Sequence, residues 1–198
     1  MSQPTSQPMS QPLSGKTALV TGGSRGIGRS IVTRLAQEGA TVALTYNASR
    51  RGAEETVAAV ERSGGSAFAL HADLVDAKSI PELFEQADRE FLRRTGSDAL
   101  DLLINNAGNA GWGGLMDATP DSWDEMFAVH ARAPFFLVQS ALSRLADGGR
   151  VVNISSALPP PAARASMPAP PASRRPGPTG VLGSAGRATP EGPGSGTA

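Results

Sequence analysis

A short apolar run, Thr17-Ala18-Leu19-Val20, leads into Thr21-Gly22-Gly23-Ser24-Arg25-Gly26-Ile27-Gly28, and a helical repeat, Ile27, Ile31, Leu35 and Ala36, leads out of it. The order reads as strand, glycine-rich turn, helix, and it constrains the fold more than any other stretch of the chain. The first amides of a helix have no intrahelical acceptor, and the helix dipole places partial positive charge beside them. A turn of this build holds a diphosphate. Glycine lets a ligand approach bare backbone and takes positive φ where the turn needs it. A plain β–α turn would not require so many glycines.

The spacing is not G-x-G-x-x-G, which needs a further glycine where Ile31 stands. It comes closer to a Walker A loop, with Gly23 and Gly28 followed by Arg29-Ser30. That motif requires lysine at the place of Arg29, and the two cations are not interchangeable.

Downstream the pattern repeats. Asp73-Leu74 follows the apolar run Ala67-Phe68-Ala69-Leu70, Asn105-Asn106-Ala107-Gly108 follows Leu100-Asp101-Leu102-Leu103-Ile104, and Val151-Val152-Asn153-Ile154-Ser155-Ser156 forms a further run. Strands are expected near 17–21, 41–46, 66–70, 100–104 and 150–155, and helices near 26–38, 52–63, 77–94 and 121–146. Alternation at these lengths predicts an α/β fold with a doubly wound parallel sheet. Gly39 and Gly64-Gly65 close the first two helices, Pro81 fits the first turn of the third, and Pro134 is expected to kink the fourth.

Composition bounds the function. The 198 residues hold no cysteine and two histidines, so neither a disulfide framework nor a thiolate or histidine-rich metal site is available. Basic and acidic residues balance at 18 each, which gives no footprint for nucleic acid or an anionic membrane. No apolar run approaches the roughly 20 residues of a membrane span. The N-terminus lacks the basic and apolar segments of a signal peptide, so a cytoplasmic location is expected.

Taken together, T-G-x-x-x-G-x-G, D-L, N-N-A-G and N-I-S-S, in this order and spacing, resemble the short-chain dehydrogenase/reductase family over about Ser14 to Ala157, with a flavour closest to the 3-oxoacyl-carrier-protein reductase type. The resemblance implies a Rossmann-like domain and reversible hydride transfer between a nicotinamide cofactor and a small carbonyl or alcohol substrate. It implies that the turn from Gly22 to Gly28, with Ser24, Gly26 and Ile27, holds the diphosphate and ribose, that Asp73 contacts the adenine and Leu74 flanks it, and that Asn105, Asn106, Ala107 and Gly108 line the nicotinamide side. For Asp73 a helix cap or turn is the competing reading. NADP (NADPH) is expected over NAD. An NAD enzyme places a carboxylate after the second strand, where this chain has Tyr46 and Asn47, and Arg25 projects from the glycine turn. Arg50 and Arg51 either join that phosphate site or form a solvated face.

The family's catalysis uses a serine that binds the carbonyl, and a tyrosine general acid/base with its pKa lowered by a lysine four residues on. Ser156 matches the serine. The tyrosine should follow about a dozen residues later, where Ala169 and Pro170 stand; the chain's one tyrosine is Tyr46, and its lysines are Lys16 and Lys78. His130 takes the place of the family's relay asparagine, either as a hydrogen-bond donor or as a helix residue facing the cleft.

Three segments are expected. Residues 1–13, with Ser-Gln-Pro three times, read as a disordered tail. Residues 14–157 form the partial NADP-binding domain. Residues 158–198 carry ten prolines, seven glycines and eight alanines, without aromatic or lysine, and are expected to be disordered. Such a mixture also fits a G/C-rich gene read in a shifted frame. With the family's C-terminal half incomplete, most of its homo-oligomer interface would be missing, and the fifth strand would be an exposed edge.

Overall fold

The computed structural model describes residues 11–109 and 117–155. The chain forms β1 (Thr17–Val20), α1 (Gly26–Gln37), β2 (Thr41–Tyr46), α2 (Arg50–Arg62), β3 (Ser66–His71), α3 (Ser79–Thr95) and β4 (Leu100–Asn105). After these come α4 (Pro120–Phe127), a π-turn (Ala128–Arg132), α5 (Ala133–Ala141) and β5 (Leu145–Asn153). All strand pairs are parallel, in the order β3-β2-β1-β4-β5. This is the Rossmann-like, doubly wound α/β arrangement expected.

A sheet covered on both faces needs strands apolar on both sides. β1 meets that demand with four buried residues in a row. Ala18 and Val20 pack with Val32, Ala36, Val42, Leu44, Val60 and Ile104 on the α1/α2 side. Leu19 packs with Phe84, Phe91, Leu103 and Leu137 on the α3/α5 side. The chain adds β2 and β3 on one flank of β1 and then crosses to β4 on the other. Strand order therefore reverses between β1 and β4, and ligands bind at such a point.

Three boundaries differ from the sequence reading. The expected helix 121–146 is divided and ends at Ala141. Pro134 has no N–H for the carbonyl four residues back. The chain widens ahead of it into the π-turn, in which the Ala133 amide donates to the Ala128 carbonyl five residues back. The last strand begins at Leu145, paired with Leu100, before an irregular stretch; regular pairing resumes at Arg150 opposite Leu102. Residues 11–13, the end of the expected disordered tail, form part of a turn. There the Leu13 amide donates to the Glu38 carbonyl at 2.9 Å, and the Leu13 side chain packs on the α1/α2 core. Residues 1–10 and 156–198 lie outside the described residues. Among the described residues, no helix is long and apolar enough to cross a membrane.

Candidate cofactor site

Five strand ends deliver Thr21, Asn47, Asp73, Asn105 and Ile154 to one edge of the sheet. Thr21 joins the two strands at the reversal. Its buried Oγ1 accepts the Asn106 and Ala107 amides, both at 2.9 Å. Asn106 Nδ2 answers by donating to the Thr21 carbonyl at 2.9 Å and the Gly22 carbonyl at 3.3 Å. Thr45 Oγ1 accepts the Gly22 amide at 3.1 Å. The glycine turn is thus fixed by side chains from β2 and the loop after β4. Replacing Thr21 with valine keeps the volume and strands two amides. Thr21→Val is expected to lower the unfolding free energy by about 2–4 kcal/mol, read as a lower urea midpoint at unchanged slope.

Glycine is required where backbones touch. Gly22 has φ of 69°, and a Cβ there would lie 2.9 Å from Ala107 Cα. A Cβ on Gly28 would lie 2.2 Å from the Gly22 carbonyl oxygen and 2.5 Å from Asn106 Nδ2. The N-terminus of α1 is therefore pressed against the turn with no side chain between them. Its cap residue, Arg25, makes no side-chain capping bond, and the first turn holds no acidic residue. The leading amides of α1 thus have no N-cap side-chain acceptor, and the helix dipole places partial positive charge beside them.

The other expected residues lie along the same edge. Ser24 is buried, while Arg25, Gly26 and Ile27 are exposed. Tyr46 is half-buried with its ring edge against His71, and Asn47 Nδ2 donates to Asp73 Oδ1 at 3.3 Å. Asp73 Oδ1 also accepts the Val75 amide at 3.0 Å, the turn contact named as its competing reading. Leu74 sends its side chain into the α3-side core, so it offers the edge only backbone. Asn105 is buried; its Nδ2 donates to Asn153 Oδ1 at 2.8 Å, and its own Oδ1 receives no hydrogen bond among the described residues. Buried acceptors are seldom left so. Arg50 and Arg51 pair with Glu54 and Glu55 along α2, at 2.8 and 2.9 Å. The hydrogen bond and charge of Glu54 hold the Arg50 pKa above its ordinary value. This favours the solvated-face reading for both.

A cleft of about 1090 Å³ opens between the glycine turn, the loop after β4 and α5. Asn105, Ala107, Gly108 and His130 line it with Ile27, Phe135, Val138, Leu142 and Ile154. His130 belongs to the π-turn. A Cβ on Gly108 would lie 2.8 Å from His130 Cε1, and His130 Nε2 lies 2.9 Å from the Asn109 carbonyl oxygen. Asn109 Nδ2 in turn donates to Glu125 at 2.9 Å. The imidazole therefore joins the loop after β4 to the π-turn while also lining the cleft. Ser156 lies outside the described residues.

The sequence marks Arg29 only as a Walker cation, and it carries no sign of the hydrogen bonds that Thr21, Thr45, Asn106 and Asn153 make. Their partners lie 23 to 86 residues away, so local pattern carries no sign of them.

The profile of the short chain dehydrogenase family matches residues 16–166. Elsinochrome reductase 1 of Elsinoe fawcettii is 39% identical over 142 residues, 72% of this chain and 51% of the relative. A versicolorin reductase of Emericella nidulans is likewise 39% identical, over 72% and 52%. The chain spans about half the length of these curated relatives. Among solved structures, the angucycline C-6 ketoreductase LanV with bound NADP is 48% identical with a TM-score of 0.71, over 73% of this chain and 56% of that one. The lugdunomycin-pathway reductase LugOII, which catalyses keto-reduction at C1, is 49% identical with a TM-score of 0.71, over 75% and 61%.

Proposed function

The chain belongs to the short-chain dehydrogenase family, and from that premise we propose that it binds NADPH in the manner of a ketoreductase but lacks the group that protonates the product. The observation that carries the binding half is the bare backbone where the uncapped start of α1 meets Gly22. Those amides suit a diphosphate. Asp73 and Asn47 stand at the adenosine end.

The 2′-phosphate reading rests on Arg25 and on the end of β2. Arg25 is exposed and has no side-chain partner among the described residues, and Tyr46 and Asn47 bring no carboxylate to repel a phosphate. Charge-assisted hydrogen bonds to phosphate are the stronger kind. Arg25→Ala is expected to weaken NADPH about tenfold or more and NADH less than about twofold, measured by fluorescence titration. Equal losses for the two cofactors would remove the phosphate from Arg25.

When bound, NADPH supplies a hydride to a ketone carbon. The carbonyl oxygen needs a hydrogen bond, for which Ser156 stands at the family's position, and then a proton. No Tyr-x-x-x-Lys exists in the chain. Among the described residues lining the cleft, His130 is the one ionisable side chain, and its Nε2 is committed to Asn109. The apolar walls from Phe135, Val138 and Leu142 favour a cyclic, largely apolar ketone, in line with the reductases named above. A binding protein that senses NADPH without turnover is the second reading, favoured by the same missing pair.

A further inference from the structure

Arg29 is aimed away from the cofactor cleft, and its guanidinium joins the glycine turn to α2. Nη2 donates to the Ser24 carbonyl at 2.8 Å and the Gly52 carbonyl at 3.1 Å, and Nε donates to Thr56 Oγ1 at 2.9 Å. Thr56 is fully buried, and its hydroxyl donates to the Gly52 carbonyl at 2.8 Å. Glu55 lies 3.7 Å from the guanidinium and balances its charge. Between the two segments there is no room for another side chain. A Cβ on Gly52 would lie 2.6 Å from Ser49 Oγ and 2.9 Å from the Ser24 carbonyl oxygen.

The positions of these residues matter for selectivity. Ser24 directly precedes Arg25, and Gly52 lies in the first turn of α2, just beyond Tyr46, Asn47 and Ser49. The junction therefore fixes the distance between the lip carrying Arg25 and the lip formed by the β2–α2 connection. A planar guanidinium that satisfies three acceptors in two segments is a rigid spacer, which a lysine does not reproduce.

We propose that the Arg29–Gly52–Thr56 junction sets the discrimination between NADPH and NADH by holding the two lips of the 2′-phosphate pocket at a fixed separation. This is a positioning role, since neither the Arg29 nor the Thr56 side chain lines the cleft, and it rests on the NADPH reading above. Its signature is a loss confined to the cofactor that carries the phosphate.

The experiment titrates the full chain and its Thr56→Val, Arg29→Met and Gly52→Ala variants with NADPH and with NADH, and records each melting curve. Thr56→Val and Arg29→Met are expected to weaken NADPH by about tenfold while NADH moves less than about twofold, and Thr56→Ser, which keeps the hydroxyl, is expected to restore the wild-type ratio. Gly52→Ala should show the same loss of selectivity, although alanine is the better helix former. Should Gly52→Ala fail to fold, Thr56→Val carries the test, because it changes no volume. Parallel losses for both cofactors, or an unchanged ratio in folded variants of a chain that prefers NADPH, would overturn the spacer role and leave the NADPH reading standing. A wild-type chain without preference would overturn both.

Discussion

Mixed with NADPH and a cyclic ketone, the full chain is expected to turn over about 10²–10⁴-fold more slowly than a family member with the tyrosine–lysine pair, the range that general acid catalysis supplies. The expectation follows from Tyr46 being the chain's one tyrosine and standing at the end of β2, with no lysine four residues on. The role proposed for Ser156 is a hydrogen bond to the carbonyl and not the supply of a proton, and His130 is bonded to the loop after β4. Absorbance at the NADPH band measures the rate. A rate within tenfold of such an enzyme, unchanged by Ser156→Ala, would place the chemistry on residues other than these. The gene supplies an independent check. If the segment after Ala157 is translated out of frame, one of the other two frames restores Tyr-x-x-x-Lys about a dozen codons on.

The second large effect is expected at Gly28. A methyl group there meets the Gly22 carbonyl oxygen at 2.2 Å and Asn106 Nδ2 at 2.5 Å, and neither is the end of a free side chain: one is backbone, the other is bonded to Thr21 and Gly22. The start of α1 must move away from the turn. Overpacking of this kind costs about 1–3 kcal/mol, more than the roughly 1 kcal/mol that alanine adds to helix stability over glycine. Gly28→Ala is therefore expected to lose about tenfold to hundredfold in NADPH affinity, with a lowered melting midpoint. Gly28→Val should abolish binding. Wild-type affinity and melting in Gly28→Ala would show that the close contact is not needed by the site.

Much of this was legible in the sequence because it is local. The run into Thr21, the glycines after it and the 3.6-residue repeat beyond fix β1, the turn and α1 without reference to the rest of the chain. Asn105 to Gly108 and Asp73 fall on one edge because each follows an apolar run, and in a parallel sheet all such ends share that edge. The interruption of the fourth helix was visible as Pro134, but its form, a π-turn that presents His130 to Gly108, was not, since the periodic pattern continues through it. The early start of β5 was hidden because Leu145 pairs with Leu100 alone before the irregular stretch. Leu74 follows Asp73 at the end of β3, and its apolar side chain lies in the core. The Arg29 junction was beyond local reading, because residues 24, 29, 52 and 56 meet only once α1 and α2 pack together.

The most direct test of the account is a paired titration of the full chain with NADPH and NADH under identical salt. Saturable binding of NADPH at least about tenfold tighter than that of NADH is expected, the margin a phosphate–guanidinium contact provides. Equal affinities, tighter NADH, or no binding of either cofactor by the folded chain would contradict it.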